Sequence, residues 1–249
     1  MAKAKGIVHI EGSIDDFVFY TLKGERCVRR KDKKQGERIK NDANFERIRE
    51  NNNEFGHCSG SGKLLRQGLA SLVVKAKDDR LVSRMQRILS NIKDLDTVSV
   101  RGQRKVYEGL KTVEGKQLLK GFDFNVNTSL NKVLRTKWEL APEDNILHFP
   151  DFSPNQQLVF PEGATHARMV LAVTRVDFET GIYATAYSPE MSVAKATTSV
   201  DLVLSTEHLP ESNGFVFYVL AVSFFQETGG ELYSLKNEGC NLLHVLEVI

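Results

Sequence analysis

The chain has 249 residues, 41% of them hydrophobic and 27% charged, with a formal net charge of +2. That length can bury a full core, as one large domain or two modest ones, and the composition is that of a soluble globular protein rather than a disordered or fibrous one. Three cysteines, Cys27, Cys58 and Cys240, are odd in number and far apart, which excludes a disulfide framework. No stretch reaches the roughly 18 apolar residues of a membrane span.

The small net charge conceals a division. Residues 1–120 carry 27 Lys+Arg against 16 Asp+Glu, a net of +11, whereas residues 121–249 carry 7 against 16, a net of −9. All six prolines, from Pro142 to Pro210, fall in the second part. Helix interiors exclude proline, while turns and strand edges accept it. The expected fold class is α+β, with two domains: residues 1–120 as a basic hairpin and helical region, and residues 121–249 as an acidic, antiparallel, immunoglobulin-like β-sandwich. No apolar leader follows Met1-Ala2-Lys3-Ala4-Lys5-Gly6, so the expected location is cytoplasmic as synthesised, with export lacking a cleaved signal left open.

In chain order, Ile7–Ile10 is an apolar run between glycines and is expected to be a strand. Phe17–Leu22 and Glu25–Arg30 flank Lys23-Gly24, a two-residue hairpin signal. That register puts Phe17, Phe19 and Val28 on one face with Arg26 and Arg30, and Val18, Tyr20 and Leu22 on the other with Cys27 and Arg29. Arg29 to Lys40 holds seven positive and two negative charges with almost no apolar residue, which predicts an exposed basic loop. Asn41-Asp42 caps a helix expected over residues 43–52, broken by Asn51-Asn52-Asn53. Gly60-Ser61-Gly62 predicts another break before a helix on Leu64, Leu65, Leu69, Leu72 and Val73. Asp78-Asp79 opens a helix with Leu81, Val82, Met85, Ile88, Leu89 and Ile92 at helical spacing. A weaker helix is expected over residues 103–119, carrying Val106, Leu110 and Leu118.

After Lys120 the period changes to two. Gly121–Val126, Asn145–Phe149, Ala167–Phe178, Ile182–Tyr187, Ser199–Ser205, Gly214–Gln226, Glu231–Leu235 and Asn241–Ile249 are strand candidates separated by Gly-containing turns. Phe215–Phe225 is apolar on both parities and predicts a central strand covered on both faces.

The chemistry-bearing motifs are weak. Gly56-His57-Cys58-Ser59-Gly60-Ser61-Gly62-Lys63 resembles a phosphate loop but has five residues where four are required, and Leu64 where a hydroxyl would meet Mg²⁺. It reads better as a joint between helices. His57-Cys58 has no second Cys or His at ligand spacing, and the remaining histidines are scattered singly. Asp15-Asp16 and Asp78-Asp79 suit turns and helix starts. Neither a catalytic, cofactor nor metal residue is assigned, and the chain is expected not to be an enzyme.

The pattern Lys5-Gly6, Gly12-Ser13-Ile14, Phe19-Tyr20, Val28-Arg29, Arg49-Glu50-Asn51, Glu54-Phe55-Gly56 and Gly62-Lys63-Leu64-Leu65-Arg66 resembles a family of uncharacterised Bacteroidota proteins. So do Leu118–Asn125, Ala186-Tyr187-Ser188-Pro189 and the ending Leu246-Glu247-Val248-Ile249. The resemblance runs the whole length and implies no activity. From charge, the expectation is a structural protein that forms a homo-oligomer or filament through basic N-terminal and acidic C-terminal surfaces. Its candidate interaction residues are Arg26, Arg29, Arg30, Lys31, Lys33, Lys34, Arg38, Lys40, Arg47, Arg49, Lys63 and Arg66. The alternative is a nucleic-acid-binding protein using the same basic half. A third arrangement has the two halves packed on each other within one chain, which would cancel the asymmetry.

Overall fold

The computed structural model describes residues 2–3, 10–31, 35–76, 78–208, 213–235 and 240–249. The fold is α+β, and the chain divides into two compact units, residues 1–51 and 52–249. The change in proline, period and charge near residue 120 falls inside the larger unit.

The smaller unit is a four-stranded antiparallel sheet followed by helical turns. Strands β1 (Ala2–Lys3), β2 (Gly12–Ile14), β3 (Phe17–Leu22) and β4 (Glu25–Arg30) lie in the order β1-β4-β3-β2. Lys23 and Gly24 both have positive φ, +50° and +78°, the mirror-image turn whose twist matches a two-residue hairpin. The register is the expected one, with Phe17 opposite Arg30, Phe19 opposite Val28 and Tyr20 opposite Cys27. The expected strand at Ile7–Ile10 lies outside the described residues at positions 7–9, and Ile10 is in no regular element.

The loop expected over residues 29–40 is corrected. Arg29 and Arg30 belong to β4, and Gln35–Asn41 is a helix, α1. Glu37 in its first turn and Arg38 and Lys40 in its last complement the helix dipole. Asp42 then caps a 3-10 turn at Ala43–Phe45, its carboxylate accepting from the Asn44 N–H at 3.0 Å.

Helix α2 spans Glu46–Gly68 without a break, running through both stretches expected to interrupt it. The reason is tertiary. Glu54, Cys58, Ser61, Leu65 and Gly68 are buried and recur every three or four residues, so one face is held against the core. Packing outweighs the weak local preferences of Asn and Gly. The following helices are α3 (Ala70–Val73), α4 (Leu81–Lys93), α5 (Val106–Leu110), α6 (Val113–Leu119) and α7 (Leu130–Val133). The single helix expected at 103–119 is two, because Thr112 caps α6 by accepting from the Gly115 N–H. Leu119 rather than Leu118 is the buried residue.

The remaining elements are β5 (Glu139–Ala141), β6 (Ile146–Phe152), a single helical turn α8 (Pro154–Gln157), β7 (His166–Asp177), β8 (Ile182–Tyr187), β9 (Met191–Ala194), β10 (Val200–Ser205), β11 (Phe215–Thr228), β12 (Glu231–Ser234) and β13 (Leu242–Val248). Among the described residues every pairing is antiparallel. One sheet has the order β10-β6-β5; the other has β12-β11-β7-β8, with β13 on β11 and β9 on β7. Gly121–Val126 is not a strand. Asp123 makes one isolated bridge to His244, while Phe122 and Phe124 are buried beside β13.

Two cores share the large sheet. On one side Leu65, Met85, Leu89 and Leu119 of the helices meet Phe217, Val219 and Ala221 of β11, with Leu243 and Val245 of β13. On the other, Leu147 and Phe149 of β6 and Leu202 and Leu204 of β10 meet Leu171 of β7 and Leu220 and Val222 of β11. The large sheet is therefore the middle of three layers, and β11 is covered on both faces as its composition requires. Residues 52–249 carry 21 Lys+Arg and 23 Asp+Glu, a net of −2, and residues 1–51 carry 13 and 9, a net of +4. The basic helices and the acidic strands largely neutralise one another inside the larger unit.

Candidate functional site

The basic residues singled out above do not all fall together. Arg26, Arg29, Arg30 and Lys31 sit on β4 and its end; Arg29, Arg30 and Lys31 are exposed and Arg26 half-buried. Arg30 approaches Asp16 at 3.8 Å, and the Lys31 ammonium donates to the Asp15 carbonyl at 2.9 Å. Lys33 and Lys34 lie outside the described residues. Arg38 and Lys40 are exposed on α1, and the Arg38 guanidinium stands over the Phe45 ring at 5.6 Å. Arg47 is exposed and pairs with Glu50 at 2.9 Å.

Arg49 has a local task. Its Nη1 donates to the Ile39 and Asp42 carbonyls at 2.7 and 2.8 Å, closing the end of α1. Lys63 and Arg66 belong to the larger unit. Lys63 is exposed beside a cavity of about 350 Å³ lined by His57, Leu64 and Phe178. Arg66 is half-buried, its Nη1 3.5 Å from the Met85 sulfur, and burial lowers its pKa.

The small sheet leaves apolar side chains exposed. Ile14 is 52% exposed, Phe17 47% and Leu22 45%, and Cys27 is its one buried side chain among the described residues. Phe17 and Leu22 point to opposite faces, so each face leaves a large apolar side chain exposed, while Val18, Phe19, Tyr20 and Val28 are half-buried. A sheet needs an apolar face packed against something to be stable in water, and this one has arginines fringing that face.

A site that sequence reasoning missed is a buried ion cluster between α2 and the segment after α4. Glu54 Oε1 accepts from the Gly102 N–H and Arg104 Nε at 2.8 Å each, and Oε2 from Arg104 Nη2 at 2.8 Å and Lys93 Nζ at 2.6 Å. Asp94 bridges the same two cations at 2.7 Å. Asp96 accepts from the backbone N–H groups of Val98, Ser99 and Lys105, pinning the loop. The forked arginine contact and the local backbone bonds are structural in character: every carboxylate oxygen of Glu54 is saturated from within the fold.

The His57-Cys58 pair is likewise engaged. His57 Nε2 accepts from the Val106 N–H at 3.1 Å, and burial and the Lys105 charge lower its pKa. The Cys58 thiol is fully buried, donates to the Leu89 carbonyl, and is pushed up to about 11 by burial. A thiol so held is a poor nucleophile. The former phosphate-loop resemblance at residues 56–63 lies in the middle of α2, where the N–H groups point along the helix rather than into a cradle. The flexible joint expected there is helix. Among the described residues no group of three or more His, Cys, Asp or Glu side chains is placed to hold a metal ion, and no helix is long and apolar enough to cross a membrane. Comparisons with known families, with curated proteins and with solved structures return no match.

Proposed function

We propose that this chain is a non-enzymatic structural protein that assembles with copies of itself, using the basic N-terminal sheet as one contacting surface. The observation that carries this reading is the set of exposed apolar side chains on β2 and β3, Ile14 and Phe17 on one face and Leu22 on the other, beside Arg29, Arg30 and Lys31 of β4 and its end. A protein surface of this kind is characteristic of an interface. The larger unit offers only a weakly acidic counterpart: its net is −2, because the −9 of residues 121–249 is offset by the basic helices of residues 52–120. For the fold of residues 121–249, the immunoglobulin-like reading is supported by two antiparallel sheets facing one core; it differs in the helices that cover the outer face of the large sheet.

Sedimentation velocity at micromolar concentration, recorded at 260 and 280 nm, tests the assembly reading. The expected result is oligomers free of nucleic acid that weaken between 0.1 and 1 M salt, as the Debye length falls from roughly 10 to about 3 Å. Replacing Arg29, Arg30 and Lys31 with Glu is expected to leave a folded monomer, since exposed substitutions change stability by about 0.5 kcal/mol or less. A wild-type protein that stays monomeric at all salt concentrations overturns the reading. Co-sedimenting 260 nm absorbance with a steep salt slope would assign the basic surface to nucleic acid instead.

A further inference from the structure

Among the described strands of the larger unit, β8 is the edge that lacks the usual protections. The large sheet ends there, and among the described strands β8 pairs with β7 alone. Exposed edges are normally kept short, charged, bulged or interrupted by proline, because their unpaired N–H and C=O groups recruit other strands. β12 is four residues and carries Glu231; β5 is three residues with Glu139; β10 carries Asp201 and a register shift. β9 is four residues, followed by Lys195. β8 reads Ile182-Tyr183-Ala184-Thr185-Ala186-Tyr187, six residues with no charge, no proline and a continuous register.

The free groups follow from the ladder. The Ser188 N–H donates to the Leu171 carbonyl at 2.8 Å, and bonding alternates along an antiparallel pair. Ile182, Ala184 and Ala186 therefore bond to β7, and the N–H and C=O groups of Tyr183, Thr185 and Tyr187 face away from it. The strand is held in place: the Thr185 hydroxyl donates to the Gly68 carbonyl at 2.7 Å, and Ser71 Oγ donates to the Tyr187 hydroxyl at 3.0 Å. Ala184 and Ala186 open onto a cavity of about 660 Å³ that also touches Ser205, Glu207 and His208. A rigid edge beside room for side chains is what strand addition requires.

We propose that β8 is the acceptor edge of self-assembly, taking up a strand from the basic N-terminal sheet of a second copy. This rests on the assembly reading above and names its receiving surface. Charge selects the occupant. Among the described residues, the cavity beside β8 is lined by Glu207 and by no Lys or Arg, whereas Glu179, Glu190 and Asp201 already pair with Lys105, Arg168 and His148. β4 is an inner strand, but it pairs with β1 only at Cys27 and Val28, so among the described residues its Arg29-Arg30-Lys31 end extends past β1 and carries three positive charges. Donor and acceptor lie on different surfaces, so the contact is heterologous and propagates into rings or filaments.

Two single variants, one double variant and one mixture test it, all in the full chain. Tyr183→Pro removes an outward N–H at a position where an edge strand tolerates proline, and Ile182→Lys places a charge on a side chain that is 65% exposed. Both are expected to keep the wild-type circular dichroism and to sediment as monomers; if Tyr183→Pro fails to fold, Ile182→Lys decides. The Arg29→Glu/Arg30→Glu variant is also expected to be monomeric. An equimolar mixture of Tyr183→Pro with Arg29→Glu/Arg30→Glu contains one intact donor and one intact acceptor, and is expected to give dimers and nothing larger. Oligomers undiminished in both β8 variants would overturn the β8 assignment while leaving self-assembly standing. A mixture that stays monomeric would overturn the pairing of β8 with the basic sheet. A monomeric wild type would overturn self-assembly itself.

Discussion

Neutralising Glu54 should be among the most costly single changes in the helical layer. Glu54→Gln keeps the shape and removes the charge, leaving Lys93 and Arg104 facing an amide whose NH₂ repels one of them. The Arg104 hydrogen bonds, working against burial and helped by Lys93 and the Gly102 N–H, hold the Glu54 carboxyl down to about 2, from an ordinary value of 4.5. The folded-state pKa is depressed, so the stabilisation is fully present above the unfolded value and is lost as pH falls toward the folded one. At 1.36 kcal/mol per unit, the shift corresponds to roughly 3 kcal/mol at pH 7, within the about 3–5 kcal/mol seen when a buried pair is broken. By pH 3 about 2 kcal/mol of it is lost. Urea unfolding followed by the fluorescence of Trp138, the single tryptophan, reads the larger unit alone. Wild type and Glu54→Gln should differ by about 3 kcal/mol at pH 7 and by about 1 kcal/mol at pH 3. A difference below about 1 kcal/mol at pH 7, or one that does not shrink in acid, refutes the account of the cluster.

Gly60→Ala should raise the urea midpoint by the equivalent of about 0.5–1 kcal/mol, because Gly60 lies inside α2 with open space where a methyl would go. Gly109→Ala should do the reverse: its Cβ would stand 1.9 Å from the Ile92 carbonyl oxygen, so a loss above about 3 kcal/mol is expected, beyond ordinary overpacking. A soluble fraction near wild type for Gly109→Ala would contradict that close approach. In thiol labelling of native protein at pH 8, Cys240, which is half-buried, should react first, and Cys58 only at the rate of global unfolding. Rapid modification of Cys58 would show that the helical layer opens locally.

Where a signal is local, the residues carried it. Lys23-Gly24 set the hairpin register, and the long apolar runs located β7, β8, β11 and β13 to within two residues at each end. The misses share a cause. Asn51-Asn52-Asn53 and Gly60-Ser61-Gly62 are breakers by local propensity, yet α2 continues because residues far along the chain cover its inner face. That face includes Glu54 and Ser61, which break the apolar stripe that would have announced it. Glu54 is balanced by Lys93 and Arg104, 39 and 50 positions away, a spacing that no motif records. Charge counting also grouped Arg49, Lys63 and Arg66 with β4, although Arg49 closes α1 and the other two stand on the larger unit. Composition identified β8 as a strand but not as an edge, since an uncharged run reads equally as a buried one.

The sharing of β11 between two cores also fixes an order in time. Helix α4 can wind within microseconds of its synthesis, but its apolar side has no wall until β7 and β11 pair, and Val219 and Ala221 are made long after Lys93. At roughly 5–20 residues per second, the distance from residue 93 to residue 221 leaves that side uncovered for about 6 to 25 s on the ribosome. The nascent helical layer is thus an amphipathic surface waiting for a sheet, and the chain is most open to chaperones and to misassociation before the strand that completes both cores emerges.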